Sequence, residues 1–191
     1  MLSKALVTLP FMAFALIAAK PAPVAAPALP AIDAPMAVVA DPANRLTLQL
    51  SNGGTVVIQL RPDLAPHHVE RVQQLVRQGF YDGLTFHRVI PGFMAQGGDP
   101  KGTGEGGSTL PDLKAEFSSF PFFRGTVAAA RTDQPDTANS QFFIMLAPNW
   151  SLDGKYTVLG RVITGMDAVD RIAPGEPPAE PTKIVKAALG G

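Results

Sequence analysis

The chain has 191 residues, with 16 lysines and arginines balancing 16 aspartates and glutamates, a formal net charge of zero, and no cysteine. That length suits one domain with a sizeable core, and the even charge without a basic run argues against nucleic acid as the main partner. Without cysteine there are no disulfides, no thiolate chemistry and no cysteine-based zinc sites. Of the three histidines, His67 and His68 are adjacent and point apart on a helix, so no metal site is expected.

Residues 1–19 are a separate object. One lysine, Lys4, precedes the uncharged run "ALVTLPFMAFALIAA", and Ala18 and Ala19 offer small residues for cleavage. The run has the length of a secretory h-region and is short for a membrane span, which needs roughly 20 residues. A signal peptide and a periplasmic or secreted mature chain are expected, with no stable membrane insertion after processing; the alternative is an uncleaved N-terminal anchor. Residues 20–43, "KPAPVAAPALPAIDAPMAVVADPA", are dominated by alanine and proline without a period of 2 or 3.6. They predict an extended, partly polyproline-like linker, and the folded domain is expected over residues 44–191.

Within that domain "RLTLQLSNGGTVVIQL" alternates apolar and polar residues around Asn52-Gly53 and predicts a hairpin. In "APHHVERVQQLVRQG", Val69, Val72, Leu75 and Val76 fall at helical spacing, with Pro66 suited to the first turn and Gly79 to the stop. "LTFHRVI", "GTVAAAR", "SQFFIML" and "YTVLGRVI" are strand candidates, and "GMDAVDRIA" a short second helix. Many strands at short spacing with one or two helices predict a closed or nearly closed β-barrel.

"GTGEGG", from Gly102 to Gly107, fits the glycine pattern of a dinucleotide-binding loop. Asp99-Pro100 precedes it and Pro111 follows, so it lacks the strand before and the helix after that would aim a helix N-terminus at a pyrophosphate. A mobile flap or a turn is expected instead. The strand "SQFFIM" is more informative, because alternate side chains share a face. Gln141, Phe143 and Met145 lie on one side and Phe142 and Ile144 on the other, so the outer face of the barrel also has apolar work to do. Arg88, inside "FHRVIPGFMAQGGD", and Gln141 would each be odd in a sealed core; side by side on the outer face they form the polar edge of an apolar pocket.

"FHRVIPGFMAQGGDPKGTGEGG", "ANSQFFIMLA" and "LDGKYTVLGRV" resemble, in the same order, the signature segments of the cyclophilin-type peptidyl-prolyl isomerases. The resemblance runs from about Asn44 to Ala188. It implies a mainly β fold, a closed eight-stranded antiparallel β-barrel capped by two α-helices. It also implies catalysis of rotation about X–Pro peptide bonds in proline-containing polypeptides, with no cofactor and no metal. The family's catalytic arginine falls on Arg88, with Gln96 and Phe93 in the catalytic set. Phe93, Met94 and Phe143 match the pocket for the proline ring, and Gln96 and Gln141 the polar residues beside the arginine. Leu152 matches the pocket wall, Ala130 and Arg131 the strand along which substrate backbone lies, and Gly104 a loop glycine flanking the site. His87 is expected to face away from Arg88 as a structural residue.

Three positions depart from the family pattern. Arg131 stands where asparagine is usual, although the contact there resembles a main-chain one. Tyr156 stands where many relatives have histidine. Relatives that bind the cyclic peptide cyclosporin tightly tend to carry tryptophan just before the Leu-Asp-Gly turn; here that residue is Ser151, with Trp150 one place earlier. Weak cyclosporin binding is therefore expected. No feature requires an assembly, and a monomer assisting the folding of exported proteins is expected. The alternative is a proline-segment binding module, or holdase, with incidental isomerase activity.

Overall fold

The computed structural model describes residues 32–190; the leader and linker residues 20–31 lie outside the described residues. The end of the linker is not extended, as the composition predicts, but forms a short helix α1 (Met36–Ala40) and a 3-10 turn (Pro42–Asn44) started by the Asp41 carboxylate, which accepts from the Ala43 N–H at 2.9 Å. Proline supplies no N–H, so carbonyls in such a segment must find donors elsewhere. Arg61 Nη1 donates to the Ile32 carbonyl at 3.2 Å, Asn44 Nδ2 to that of Val38 at 3.1 Å, and Gln59 Nε2 to that of Asn44 at 3.1 Å.

Strands β1 (Arg45–Leu50) and β2 (Thr55–Leu60) pair as the predicted hairpin, with Thr47 opposite Val57. Helix α2 (Pro66–Arg77) begins at Pro66 and is followed by Gly79 at φ 68°. Strands β3 (Phe86–Ile90), β5 (Thr126–Ala129) and β6 (Phe142–Met145) fall within three of the predicted segments, β7 (Val158–Thr164) runs one residue past the fourth, and α3 (Met166–Asp170) falls within the last helical one. Two strands were not predicted separately: β4 (Met94–Gly97) and β8 (Ile184–Leu189).

The eight strands form one antiparallel sheet in the order β3-β4-β6-β5-β7-β2-β1-β8. It curls into an open half-barrel, not the closed barrel expected. The two ends, β3 and β8, are joined through single bridges, Val89 with Gly175 and Thr85 with Lys183. The reason lies in residues 174–181, which carry Pro174, Pro177, Pro178 and Pro181. Proline cannot donate to a ladder, so this segment stitches the edge of β3 at a few points without extending the sheet.

Both faces of the sheet are apolar. The inner cluster includes Leu48, Ile58, Phe86, Phe142 and Ile144, and α2 adds Val69, Val72 and Leu75 while α3 adds Ala168 and Val169. On the outer face Met94, Ala128, Ala130, Phe143, Met145 and Val158 pack with Phe120 and Phe122 from the preceding loop. The alternation read in "SQFFIM" therefore divides β6 between two cores.

Two histidines are buried. His68 lies under Glu116, with Nδ1 2.6 Å from Oε2. His87 is buried where the β3–β4 register shifts between Phe86 and Arg88, so the strict alternation expected there does not hold; a Cβ on Gly104 would lie 3.8 Å from its ring. Burial is the main cause that lowers the pKa of each below 6.5; Glu116 pulls His68, and Asp99 pulls His87, the other way without reversing it. As pH falls the unfolded chain takes up these protons first, so the contribution to stability is complete above about pH 7 and is lost as pH drops through 6.5 and below. Thermal melts should therefore show a falling Tm between about pH 7.5 and 5.5, and His87→Phe should flatten part of the fall. A Tm constant across that window would contradict this account.

Candidate active site

Arg88 sits mid-way along β3, opposite Gln96 of β4 in the register. Beyond Ile90 the chain turns and Phe93 packs over the outer-face cluster. Strand β4 is followed by Gly98, whose φ is 88°; a Cβ there would lie 2.5 Å from the Ser140 carbonyl oxygen, so glycine is needed for the chain to pass Ser140 this closely. From the other side the 3-10 turn Trp150–Leu152 delivers Leu152, and Tyr156, two residues before β7, joins it in the same wall. Between them is a cavity of about 120 Å³ lined by Arg88, Phe93, Met94, Gln96, Ala130, Arg131, Phe143, Leu152 and Tyr156. It is smaller than the roughly 300–1,000 Å³ of sites for drug-sized ligands and suits one small apolar ring.

Nine of the eleven residues singled out from the sequence thus line a single cavity. The other two, Gly104 and Gln141, line an adjoining cavity of about 450 Å³ that shares Gln96, Ala130 and Arg131 with the first. Gln141 couples the two. Its Oε1 accepts from Gln96 Nε2 at 2.9 Å, and its Nε2 donates to the carbonyls of Gly104 and Gly106 at 2.9 and 2.8 Å. The glycine loop is therefore a turn tied by hydrogen bonds to the residue before β6. Asp99 holds it from below, accepting from the N–H groups of Lys101, Thr103 and Gly104 at 2.8, 2.9 and 2.6 Å. Burial pushes the Asp99 carboxyl up, but the backbone donors outweigh burial and hold its pKa below the ordinary value of 3.8.

The floor is aromatic. Phe122 and Phe143 stack with centroids 6.2 Å apart, and Tyr156 meets Phe143 edge-on at 5.6 Å. Two guanidinium groups reach the cavity, and their hydrogen bonds separate their roles. Arg131 lies over Tyr156, 4.4 Å from the ring centroid, and spends Nη1 on the carbonyls of Thr132 and Asp133 and Nη2 on that of Lys155. Arg88 donates from Nε to Glu176 Oε2 at 2.7 Å; among the described residues no group takes its two terminal nitrogens. A cation with unused donors at the lip of an apolar cavity can stabilise negative charge or a lone pair that develops inside it.

Trp150 does not line the cavity. It packs edge-on to Phe123 at 5.3 Å and is 56 % exposed, while the Asn149 side chain accepts from the N–H and hydroxyl of Ser151 at 3.1 and 2.7 Å. Two residues at the site were not singled out from the sequence. Phe122 is visible there only as part of the aromatic run "FPFF". Glu176, 88 positions beyond Arg88, carries no local signal. Among the described residues no three histidine, aspartate or glutamate side chains gather as a metal centre requires.

Residues 45–189 match the family model described as cyclophilin type peptidyl-prolyl cis-trans isomerase/CLD. A probable peptidyl-prolyl cis-trans isomerase of Brucella suis is 51 % identical over 169 residues, covering 80 % of this chain and 86 % of the relative. The peptidyl-prolyl cis-trans isomerase-like 1 of Homo sapiens is 40 % identical over 146 residues, 72 % of this chain and 88 % of that one. Among solved structures, cyclophilin AquaCyp293 from Hirschia baltica superposes with a TM-score of 0.72 at 31 % identity, covering 78 % of this chain and 74 % of that one. A Cryptosporidium parvum cyclophilin type isomerase, crystallised in the presence of the dipeptide Ala-Pro, gives 0.71 at 25 % identity over 77 % of this chain and 99 % of that one. The matched span holds the whole cavity, Arg88 at its lip included: the chain belongs to the cyclophilin-type peptidyl-prolyl cis-trans isomerases.

Proposed function

We propose that Arg88 is the catalytic group of this isomerase and that the cavity beside it takes the proline ring of a proline-containing polypeptide. Resonance gives a peptide bond a rotation barrier of about 18–20 kcal/mol, and uncatalysed X–Pro bonds isomerise over tens to hundreds of seconds. Twisting the bond breaks the resonance and returns a lone pair to the prolyl nitrogen. An arginine N–H can donate to that nitrogen only once it becomes pyramidal, so the bond forms in the transition state and in neither ground state. Phe93, Met94, Phe143 and Leu152 grip the ring while the acyl side turns, and the substrate backbone runs along Ala130 and Arg131. Gln96 and Gln141 keep the polar rim in register, and Gly104 gives the flanking loop its turn. The observation that carries this reading is the contrast between the two guanidinium groups, Arg131 with its terminal nitrogens engaged and Arg88 with its own unused.

In this scheme the protein acts as a monomer on exported clients, reaching the periplasm or the exterior through residues 1–19. N-terminal sequencing of the native protein should find a mature chain beginning between Ala19 and about Ala26; an intact Met1 in a membrane fraction would favour the anchored alternative.

Arg88→Ala should lower kcat/KM on Ala-Pro peptides at least ~10-fold in a protease-coupled assay, since a charge-assisted hydrogen bond is worth about 1.5–3 kcal/mol. Its Tm should stay close to the parent's, because a half-exposed ion pair adds little to folding. A variant as fast as the parent would remove Arg88 from the mechanism. Cyclosporin should bind weakly, since Trp150 packs on Phe123 and Ser151 holds the place before Leu152. Losing one indole contact with its hydrogen bond costs on the order of 2–4 kcal/mol, about 30-fold or more in affinity. Calorimetric titration should show that deficit and its partial recovery in Ser151→Trp; nanomolar binding by the natural sequence would refute it.

A further inference from the structure

Glu176 stands behind the pocket, not in it. It is absent from the cavity's lining, yet its Oε2 lies 2.7 Å from Nε of the arginine that forms the lip. We propose that Glu176 is a positioning residue for the isomerisation, fixing the plane of the Arg88 guanidinium so that its two terminal nitrogens face the prolyl nitrogen. The inference rests on Arg88 acting as argued above.

The backbone explains how the carboxylate comes to be there. Val89 and Gly175 form an antiparallel bridge with both hydrogen bonds made, Val89 N–H to the Gly175 carbonyl at 2.8 Å and Gly175 N–H to the Val89 carbonyl at 2.9 Å. In an antiparallel pair the residue after one partner lies beside the residue before the other, and this sets Glu176 against Arg88. Gly175 has φ 143°, and a Cβ on it would meet Pro178 Cα at 2.6 Å. The bridge therefore depends on glycine at this one place, and the chain leaves it in a single direction.

The atoms engaged decide between holding and blocking. A guanidinium is a planar fork, and its Nε–H lies in the same plane as the four terminal N–H bonds. An acceptor on Nε therefore orients both terminal nitrogens without occupying either. An acceptor on those nitrogens would instead compete with substrate. The pair is 42 % and 50 % exposed, so solvent screens most of its Coulombic attraction and little of the arginine's charge is quenched. What remains is direction. Among the described residues no other neighbour supplies it: Gln96, opposite Arg88 in the register, donates to Gln141, and β3 is an end strand of the sheet, with β4 as its one strand neighbour.

The test compares full-length parent, Glu176→Ala, Glu176→Gln, Arg88→Ala and the Arg88→Ala/Glu176→Ala double variant on Ala-Pro peptides, with melts alongside. Glu176→Ala should lower kcat roughly 3- to 10-fold, the range a half-exposed ion pair can carry, with KM within about twofold and Tm unchanged. Glutamine keeps an acceptor oxygen without the charge, so Glu176→Gln should return kcat to within about twofold of the parent. In the double variant, removing Glu176 should add nothing to the loss from Arg88→Ala. If Arg88→Ala is slow while Glu176→Ala matches or exceeds the parent, the positioning role is wrong and the catalytic assignment stands. A raised KM with a lowered Tm would make Glu176 merely structural, and a glutamine variant as slow as alanine would show that charge, not orientation, is what it provides. If Arg88→Ala is itself as fast as the parent, the catalytic assignment fails and this one falls with it.

Discussion

Strand β6 has no side that faces water. All four of its residues are buried, as are all four of β5 beside it. Antiparallel sheets commonly leave one face solvated; here Phe142 and Ile144 go into the barrel interior while Phe143 and Met145 need a second cover outside. Phe120 and Phe122 supply most of that cover, with Leu64, Leu152 and Tyr156 around them. The cavity beside Arg88 is the gap the cover leaves. Its floor is thus a by-product of a strand that must be apolar on both faces, and a rigid floor follows from the close packing of the interior behind it.

The polar part of the site depends on the same strand. Gln141, just before β6, joins Gln96 to the carbonyls of Gly104 and Gly106, while Asp99 gathers the N–H groups of the loop from beneath. These bonds tie the loop to β4 and to the residue before β6, which is how a six-residue stretch with four glycines keeps one shape. Arg131 closes the far side. Its charge is absorbed by three carbonyls and an aromatic face, so of the two guanidinium groups at the cavity Arg88 keeps its terminal nitrogens unused.

Much of this was legible in the sequence because it rests on short periods. The hairpin at Asn52-Gly53, the helix from Pro66 and the split of β6 between two faces all follow from spacing that a few residues display. Strands β4 and β8 did not show. "MAQG" is four residues ending in glycine and reads as part of the glycine turn after it; β8 is buried only at Ile184 and Ala187, and its register shifts beside Leu50, which blurs the alternation. Barrel closure was misread for a related reason, since counting strands does not reveal what proline does to the last junction. Nine of the site residues were visible because they sit in three contiguous segments, and Ala130 and Arg131 in a fourth, the strand "GTVAAAR". Glu176 was not, because what places it is a pairing between residues 86 positions apart.

The proline-bearing junction between β3 and β8 has a consequence for how the enzyme opens. Elsewhere each strand is bound to its neighbours by ladders of three or more register pairs, and parting them exposes core. At the junction, parting Val89 from Gly175 breaks one pair of hydrogen bonds in a segment with few others to lose. Local opening free energies span a wide range within one protein and are lowest where such bonds are sparse. The strand carrying Arg88 therefore belongs to two cooperative units at once, a deep one through β4 and a shallow one through the loop. In hydrogen exchange the amides of Val89 and Gly175 would follow the shallow unit, while those of β6 wait for the whole domain to unfold. Fluctuation is thereby concentrated at the lip of the cavity, and its aromatic floor is spared it.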